Sequence, residues 1–317
     1  DEAVEHQRRA LAIYEAAYGP DHPTLLPPLN NLGVSLQGLG RTDEALAIFE
    51  RTLALATAAF GPESRNVALA LRNLSEVDRE RGRLEAAIDQ ARRAVAIYQR
   101  AGKMDHGTST ALGALATALA TAGQFDEATE YFRQTHAAQV ELFGADTLNA
   151  VFSENNLGTV LAEQGRHEEG FVHLRRALAG KERLLGPEHP ALVSTLSSMG
   201  ESLLQSGEPR KALPYFERAE QLQRSAAGPE HPGVANAVFG RGSCHLALGE
   251  TKVETRFLMR TNETTWKGYT YLWRADQSDA DLVPDGINGK YVDVAGQQWY
   301  LPSRNECLFR IPAKGVN

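Results

Sequence analysis

The chain has 317 residues, of which 42% are hydrophobic and 23% are charged, a composition typical of a folded soluble protein with room for two domains or one elongated array. Its net charge of −7 falls on residues 1–249, because residues 250–317 hold equal numbers of acidic and basic side chains. The absence of a basic stripe argues against a nucleic-acid ligand, no apolar run is long enough to span a bilayer, and two cysteines cannot form a disulfide framework.

Two kinds of turn recur along residues 1–249, each marked by a glycine. One begins as "GPDHP" and the other as "GRTDEA", and both return after 41 or 42 residues. The turns of the first kind begin at Gly19, Gly61, Gly102, Gly144, Gly186 and Gly228, and those of the second kind at Gly40, Gly82, Gly123, Gly165, Gly207 and Gly249. Two independent markers that keep one period indicate an internal repeat.

Between the turns, the apolar residues have helical spacing. In "PLNNLGVSLQGLG", Leu29, Leu32 and Leu36 recur three or four residues apart, as on one face of a helix. Glycine after the last apolar residue permits the left-handed conformation that ends a helix. Each repeat is therefore predicted to be two helices joined by a short turn, and stacked pairs bury the apolar face that one pair leaves open.

Two repeats depart from this pattern. Pro27 and Pro28 are tolerated only in the first turn of a helix, so the helix that contains them is predicted to begin near Leu26. The third repeat, "TALGALATALATAG", has small side chains, and Gly113 lies in its helix interior at a cost of about 1 kcal/mol relative to alanine.

The repeats resemble the 42-residue tetratricopeptide repeats of kinesin light chains and their bacterial relatives. "LNNLGVSLQGLGRTDEALAIFERTLAL" and "HPALVSTLSSMGESLLQSGEPRKALPYFERA" carry this resemblance, which covers residues 1–249. It implies an all-α fold, a tetratricopeptide α-solenoid of antiparallel helix pairs followed by a small β-rich C-terminal segment. Small residues are expected where the helices cross, including Gly33 and Gly200, with Phe49, Phe132 and Phe216 one turn after the small residue of the second helix.

The resemblance also implies a non-catalytic scaffold that binds peptide segments of partner proteins in a groove lined by the first helix of each pair. In related arrays, groove asparagines bind peptide backbone and arginines bind acidic groups. The alternative is that these residues are only solvated helix faces. The candidate groove residues are Asn30, Arg72, Glu76, Arg79, Phe152, Asn155, Ser197, Glu201 and Phe239.

Other polar residues are given structural interpretations. His22, His189 and His231 recur in the longer turns, and copies spread along an array do not converge on a metal, so they are predicted to be turn residues. Cys244 lies in a helical pattern and is predicted to be a small packing residue. No Ser-His-Asp order, phosphate-binding loop or carboxylate pair indicates an enzyme, and neither a metal nor a cofactor is expected.

Residues 250–317 have a different composition. "KVETRFLMR" and "WKGYTYLWR" alternate like the strands of a hairpin, and two short strands are predicted around Ala295 and Gly296. The segment resembles a region of bacterial secreted proteins associated with c-type cytochromes, in which a Cys-x-x-Cys-His motif attaches haem. Here Cys307 matches the first cysteine, but Arg310 and Ile311 stand at the positions of the second cysteine and the histidine, so the motif is disrupted. A truncated domain fragment joined near Gly249 is therefore expected.

Two rival functions stay open at this point. One is an electron-transfer or oxidoreductase-associated protein with an accessory array, and the other is a regulatory array of a larger signalling protein. For the scaffold, the expected partner is a protein or peptide and neither nucleic acid nor a membrane. A cytoplasmic location is favoured for the array.

Overall fold

The structure is a computed structural model that describes residues 2–102, 104–228 and 231–249 and four strand segments after them. In these ranges the chain forms antiparallel helix pairs, which confirms the predicted solenoid class. The helices are α1 Glu2–Tyr18, α2 Leu26–Gly38, α3 Thr42–Phe60, α4 Arg65–Glu80, α5 Leu84–Arg100, α6 His106–Thr121, α7 Phe125–Phe143, α8 Leu148–Glu163, α9 His167–Leu185, α10 Leu192–Gln205, α11 Pro209–Ala227 and α12 Pro232–Ala247. Helix α2 begins at Leu26, as its prolines predict, after a 3₁₀ turn over Pro23–Leu25.

The glycines of both turn types adopt the predicted left-handed backbone. All twelve have φ between 68° and 92°. The requirement for glycine is stronger in the longer turns, where Gly61 and Gly144 combine φ of 81° and 87° with ψ of 161° and 157°. This region of backbone space is almost restricted to glycine. The glycine backbone conformation therefore recurs with the same 41- or 42-residue period as the sequence.

A second periodic device starts the first helix of each pair, three residues after the turn glycine. Here a side chain accepts a hydrogen bond from a backbone N–H two or three residues later, at or just before the first turn of the helix, at donor–acceptor distances of 3.0–3.4 Å. Such caps satisfy donors that have no partner within the helix. The capping residues are His22, Ser64, Asp105, Thr147, His189 and His231. The histidines of "DHP" and "EHP" are confirmed as turn residues, with imidazole Nδ1 as the acceptor.

Contacts divide the chain into two compact units, residues 1–173 and 174–317. This division falls within α9, whereas the boundary predicted from composition lies at residues 249/250 and stays a prediction. In the first unit, Phe49 is fully buried against Gly33, where an added Cβ would lie 2.5 Å from the ring. Helices α2 and α3 approach closely because residue 33 has no side chain.

The second unit repeats this arrangement around Phe216. The ring is 1% exposed and lies against both Gly200 and Gly240, where an added Cβ would come within 2.7 Å and 2.3 Å of it. Lys181 is also buried here, and its ammonium donates to the Thr195 hydroxyl at 2.8 Å and the Ala191 carbonyl at 3.2 Å. Burial lowers the pKa of Lys181 to about 8.

The backbone after α12 forms two antiparallel hairpins, as predicted. Strand β1 (Val253–Arg260) pairs with β2 (Trp266–Trp273), and β3 (Gly289–Val294) pairs with β4 (Gln297–Pro302). Cys307 and the rest of the disrupted haem motif lie outside the described residues. The cytochrome-associated resemblance of this segment stays a prediction.

Candidate functional site

A cavity of about 400 Å³ lies in the first unit, on the first helices of three successive pairs. Helices α4, α6 and α8 form its walls, and α7 adds two side chains. The lining residues are Arg72, Ser75, Glu76 and Arg79 from α4, His106, Ser109, Thr110, Gly113, Ala114 and Thr117 from α6, Thr135 and Gln139 from α7, and Asn149, Phe152, Ser153 and Asn156 from α8. Four of the nine candidate groove residues are among them: Arg72, Glu76, Arg79 and Phe152.

The wall formed by α4 is a charged stripe. Arg72, Ser75, Glu76 and Arg79 follow the spacing that places side chains on one helix face, and we call them the α4 stripe. The three charged side chains are half-buried, whereas Ser75 is 1% exposed. Burial raises the pKa of Glu76 above its ordinary value, although the charges of Arg72 and Arg79 oppose this effect. Two cations and one carboxylate therefore face the cavity.

Arg72 is held in place by a chain of two asparagines. Its Nη2 donates to Oδ1 of Asn73 at 2.7 Å, and Nδ2 of Asn73 donates to Oδ1 of Asn30 at 2.5 Å. Asn73 is 2% exposed, so this chain fixes the guanidinium from inside the protein. Asn30, predicted to be a groove residue, is absent from the cavity lining and supports Arg72 instead.

The small side chains of α6 open the middle of the cavity. Gly113, Ala114 and Thr117 leave Thr135 and Gln139 of the following helix within reach of the cavity space. An added Cβ at Gly113 would lie 3.5 Å from Cγ2 of Thr135, an ordinary contact distance. The low side-chain volume of the third repeat, which the sequence shows, is thus the origin of the cavity.

The α8 wall contains one aromatic ring and two exposed carboxamides. Phe152 is 40% exposed, and Asn149 and Asn156 lie on the same side of the helix. Asn155, the candidate from the sequence, is 8% exposed and is absent from the cavity lining. Helices α4 and α8 face the space above α6 from opposite sides, so they contribute different positions of the repeat. The repeat position that lines the cavity on α4 therefore does not line it on α8, where the residue next to Asn155 does so instead.

Three buried polar atoms of the lining have no hydrogen-bond partner among the described residues. They are Nε of Arg72, Oγ of Ser75 and Oε1 of Gln139. The Gln139 carboxamide is anchored at its other end, where Nε2 donates to Oγ of Ser109 at 2.7 Å. Buried polar groups are nearly always paired in folded proteins, so these three atoms can form hydrogen bonds with water or with a ligand.

A buried carboxylate lies next to the α8 wall. Glu154 contacts Nε2 of His136 at 2.7 Å and Nδ1 of His173 at 3.0 Å, and His136 also contacts Oγ of Ser153. Burial disfavours the charged form of Glu154, but the hydrogen bonds and charges of the two histidines outweigh it, so the pKa of Glu154 lies below its ordinary value. This cluster stiffens the wall that carries Ser153.

The remaining candidates lie in the second unit. Ser197 and Glu201 are on α10, half-buried and exposed respectively, and Phe239 on α12 is 49% exposed. None of them lines the cavity of the first unit. Their role in peptide binding stays a prediction.

Two other kinds of functional feature are missing from the described part of the chain. No group of three or more His, Cys, Asp or Glu side chains there could hold a metal ion, and none of the described helices has the length and hydropathy of a membrane span. Cys244 is a buried free thiol, as predicted, and burial raises its pKa to about 11. It is a packing residue and not a nucleophile.

Comparison with known proteins agrees with this architecture. Tetratricopeptide repeat models match residues 1–58, 25–100, 107–169 and 145–225, and a further one matches residues 198–253. No curated protein matches the chain. A structure of a kinesin light chain with nearly identical TPR-like repeats from Podosopora anserina has 20% identity and a TM-score of 0.55, covering 65% of this chain and 98% of its own. BtubC (BKLC) from P. vanneervenii has 18% identity and a TM-score of 0.55, covering 66% of this chain and 85% of its own. At these identities the similarity shows the fold alone.

Proposed function

We propose a peptide-binding role for this chain, which belongs to the tetratricopeptide repeat family and so is a protein–protein interaction scaffold. In this proposal the chain is non-catalytic, and the cavity of the first unit binds an extended peptide segment of a partner protein. The observation that carries this proposal is the cavity itself. It opens on the first helices of three consecutive pairs and contains polar atoms that have no hydrogen-bond partner among the described residues.

The lining suits a peptide better than a small apolar ligand. Asn149 and Asn156 present carboxamides that can both donate to and accept from a peptide backbone. Phe152 offers an exposed ring for a side chain of the peptide. The half-buried hydroxyl groups of Thr110 and Thr117 make part of the remaining surface polar. These groups can hold an extended chain without requiring any reaction.

The test is a screen of immobilised decapeptides followed by affinity measurements on variants. Phe152→Ala removes the exposed ring of the cavity and should weaken the best peptide by about 1–3 kcal/mol. Phe60→Ala is the matched control, since Phe60 is 51% exposed on α3 and is not part of the lining. Peptides whose affinity depends on Phe60 and not on Phe152 would place the binding surface elsewhere.

A further inference from the structure

Two buried side chains of the cavity lining hold polar atoms that have no partner in the described part of the chain. They are Oγ of Ser75 on α4 and Oε1 of Gln139 on α7, and the two side chains are 1% and 6% exposed. Nε of Arg72, three residues before Ser75 on the same helix face, is a third such atom. The carboxamides of Asn149 and Asn156 are exposed. A peptide backbone that lies on those carboxamides therefore reaches the buried atoms only through one of its side chains.

The three atoms require hydrogen-bonding groups of both kinds. Nε of Arg72 can only donate, Oε1 of Gln139 can only accept, and the Ser75 hydroxyl can donate. The Gln139 carboxamide is oriented by its other end, where Nε2 donates to Oγ of Ser109 at 2.7 Å. A partner that satisfies all three atoms presents an oxygen with two lone pairs together with at least one N–H or O–H.

The charges beside these atoms favour a neutral partner. Arg72 and Arg79 carry two positive charges. Glu76 and Glu80 carry two negative ones, and Oε1 of Glu80 lies 3.9 Å from Nη2 of Arg79. The four side chains have no net charge when all are ionised. A carboxylate or an ammonium group would add an uncompensated charge to a half-buried site, and the first has no donor while the second has no acceptor.

From these observations we propose, as an extension of the proposed function on which it rests, that this part of the cavity is a subsite for the primary carboxamide of a glutamine or asparagine side chain of the bound peptide. The carbonyl oxygen accepts from Nε of Arg72 and Oγ of Ser75, and the NH₂ group donates to Oε1 of Gln139. A carboxamide carries its acceptor and its donors on different atoms, so it can reach α4 and α7 together. A hydroxyl group must place a single oxygen against both helices.

The experiment uses small probes, so that it does not depend on finding a peptide. N-acetyl-glutamine methylamide is titrated into the full chain, beside its methyl ketone analogue, in which CH₃ replaces the side-chain NH₂, and its glutamate and homoserine analogues. Binding is followed by NMR through the Nε–H signal of Arg72 and the Nε2–H₂ signals of Gln139, which are assigned by their loss in Arg72→Lys and Gln139→Met. We expect a saturable shift of both signals with the glutamine probe, with Kd in the millimolar range.

The methyl ketone is the decisive probe because it keeps the shape and neutrality of the carboxamide and removes only its donor. It should bind more weakly than the glutamine probe by about tenfold or more, since it leaves Oε1 of Gln139 buried without a partner. The glutamate probe should also bind more weakly, because it adds a charge and has no donor. The homoserine probe should do so because its single oxygen does not reach both helices.

Gln139→Met tests which residue accepts from the probe. Methionine keeps a similar shape without the carboxamide, so the glutamine and methyl ketone probes should bind this variant equally, as followed through Nε of Arg72. Gln134→Met is the matched control, since Gln134 lies on the same helix and is absent from the lining, and it should keep the discrimination between the two probes. Ser75→Ala removes a donor to the carbonyl oxygen that both probes share and should weaken both by the same factor, which tests the subsite even if Gln139→Met does not fold.

Three results would overturn the inference. The first is no saturable shift with the glutamine probe, which would mean that water alone fills the space. The second is binding of the methyl ketone, glutamate or homoserine probe as tight as that of the glutamine probe, and the third is discrimination that survives in Gln139→Met. The two proposals fail separately. Peptides that bind the cavity whether or not they contain glutamine or asparagine would leave the proposed function standing without this subsite, whereas probe binding without any peptide binding would leave only the carboxamide subsite.

Discussion

Two glycines inside first helices are expected to respond in opposite directions to the same substitution. An alanine Cβ at Gly33 would lie 2.5 Å from Cε1 of Phe49, and Phe49 is fully buried. The same Cβ at Gly113 would lie 3.5 Å from Cγ2 of Thr135, which is an ordinary contact. Gly33→Ala should therefore destabilise the protein, and Gly113→Ala should stabilise it.

The magnitudes follow from two terms. Replacing glycine by alanine in a helix interior contributes about 0.5–1 kcal/mol at both positions. At Gly33 the displacement of a packed ring costs roughly 1–3 kcal/mol, so a net loss of up to about 2.5 kcal/mol is expected. At Gly113 no such cost arises. Because the helix contribution is the same at both positions, the two variants should differ in the free energy of unfolding by the ring-displacement cost, about 1–3 kcal/mol.

The assay is urea unfolding followed by far-UV circular dichroism, together with backbone hydrogen exchange measured separately for α2–α3 and α6–α7. Exchange is needed because stability in repeat arrays is a sum of local terms and unfolding need not be two-state. Gly38→Ala is the control, since an added Cβ there meets nothing within 4 Å. If Gly33→Ala and Gly113→Ala changed stability equally, the contact argument would be wrong.

Three further outcomes are expected. His189→Ala should lose the cap of its turn and about 0.5–2 kcal/mol of stability, and His189→Asn should retain most of it, as read from urea midpoints. Because the pKa of Lys181 is lowered to about 8 in the fold, the folded state binds fewer protons than the unfolded state between about pH 8 and its ordinary pKa. The free energy of unfolding should rise with pH across that window in the unmodified chain, and Lys181→Met should remove this rise; a rise that persists in the variant would contradict the assignment. A chain ending at Gly249 should keep a strongly helical circular dichroism spectrum, and loss of most helicity would show that the array depends on residues 250–317.

The lining of the cavity includes some of the residues that the sequence indicated and others that it did not. Arg72, Glu76, Arg79 and Phe152 were found because residues on the first helix of a pair repeat with the array. Ser75, a small residue at a helix crossing, also lines the cavity, which the repeat pattern did not indicate. Gln139 belongs to a second helix and reaches the cavity only because α6 is thin.

The sequence by itself determined the period, the positions of both turns, the start of α2 and the hairpins after α12. These features depend on glycine, proline and apolar spacing, which act over a few residues, so the local sequence is enough to predict them. Only the tertiary structure decided that Asn156 and not Asn155 lines the cavity, that Asn30 supports Arg72, and that two donors of the α4 stripe have no partner within the described part of the chain. Those facts depend on which side chains of neighbouring helices meet in the cavity, and the 42-residue period does not predict these contacts.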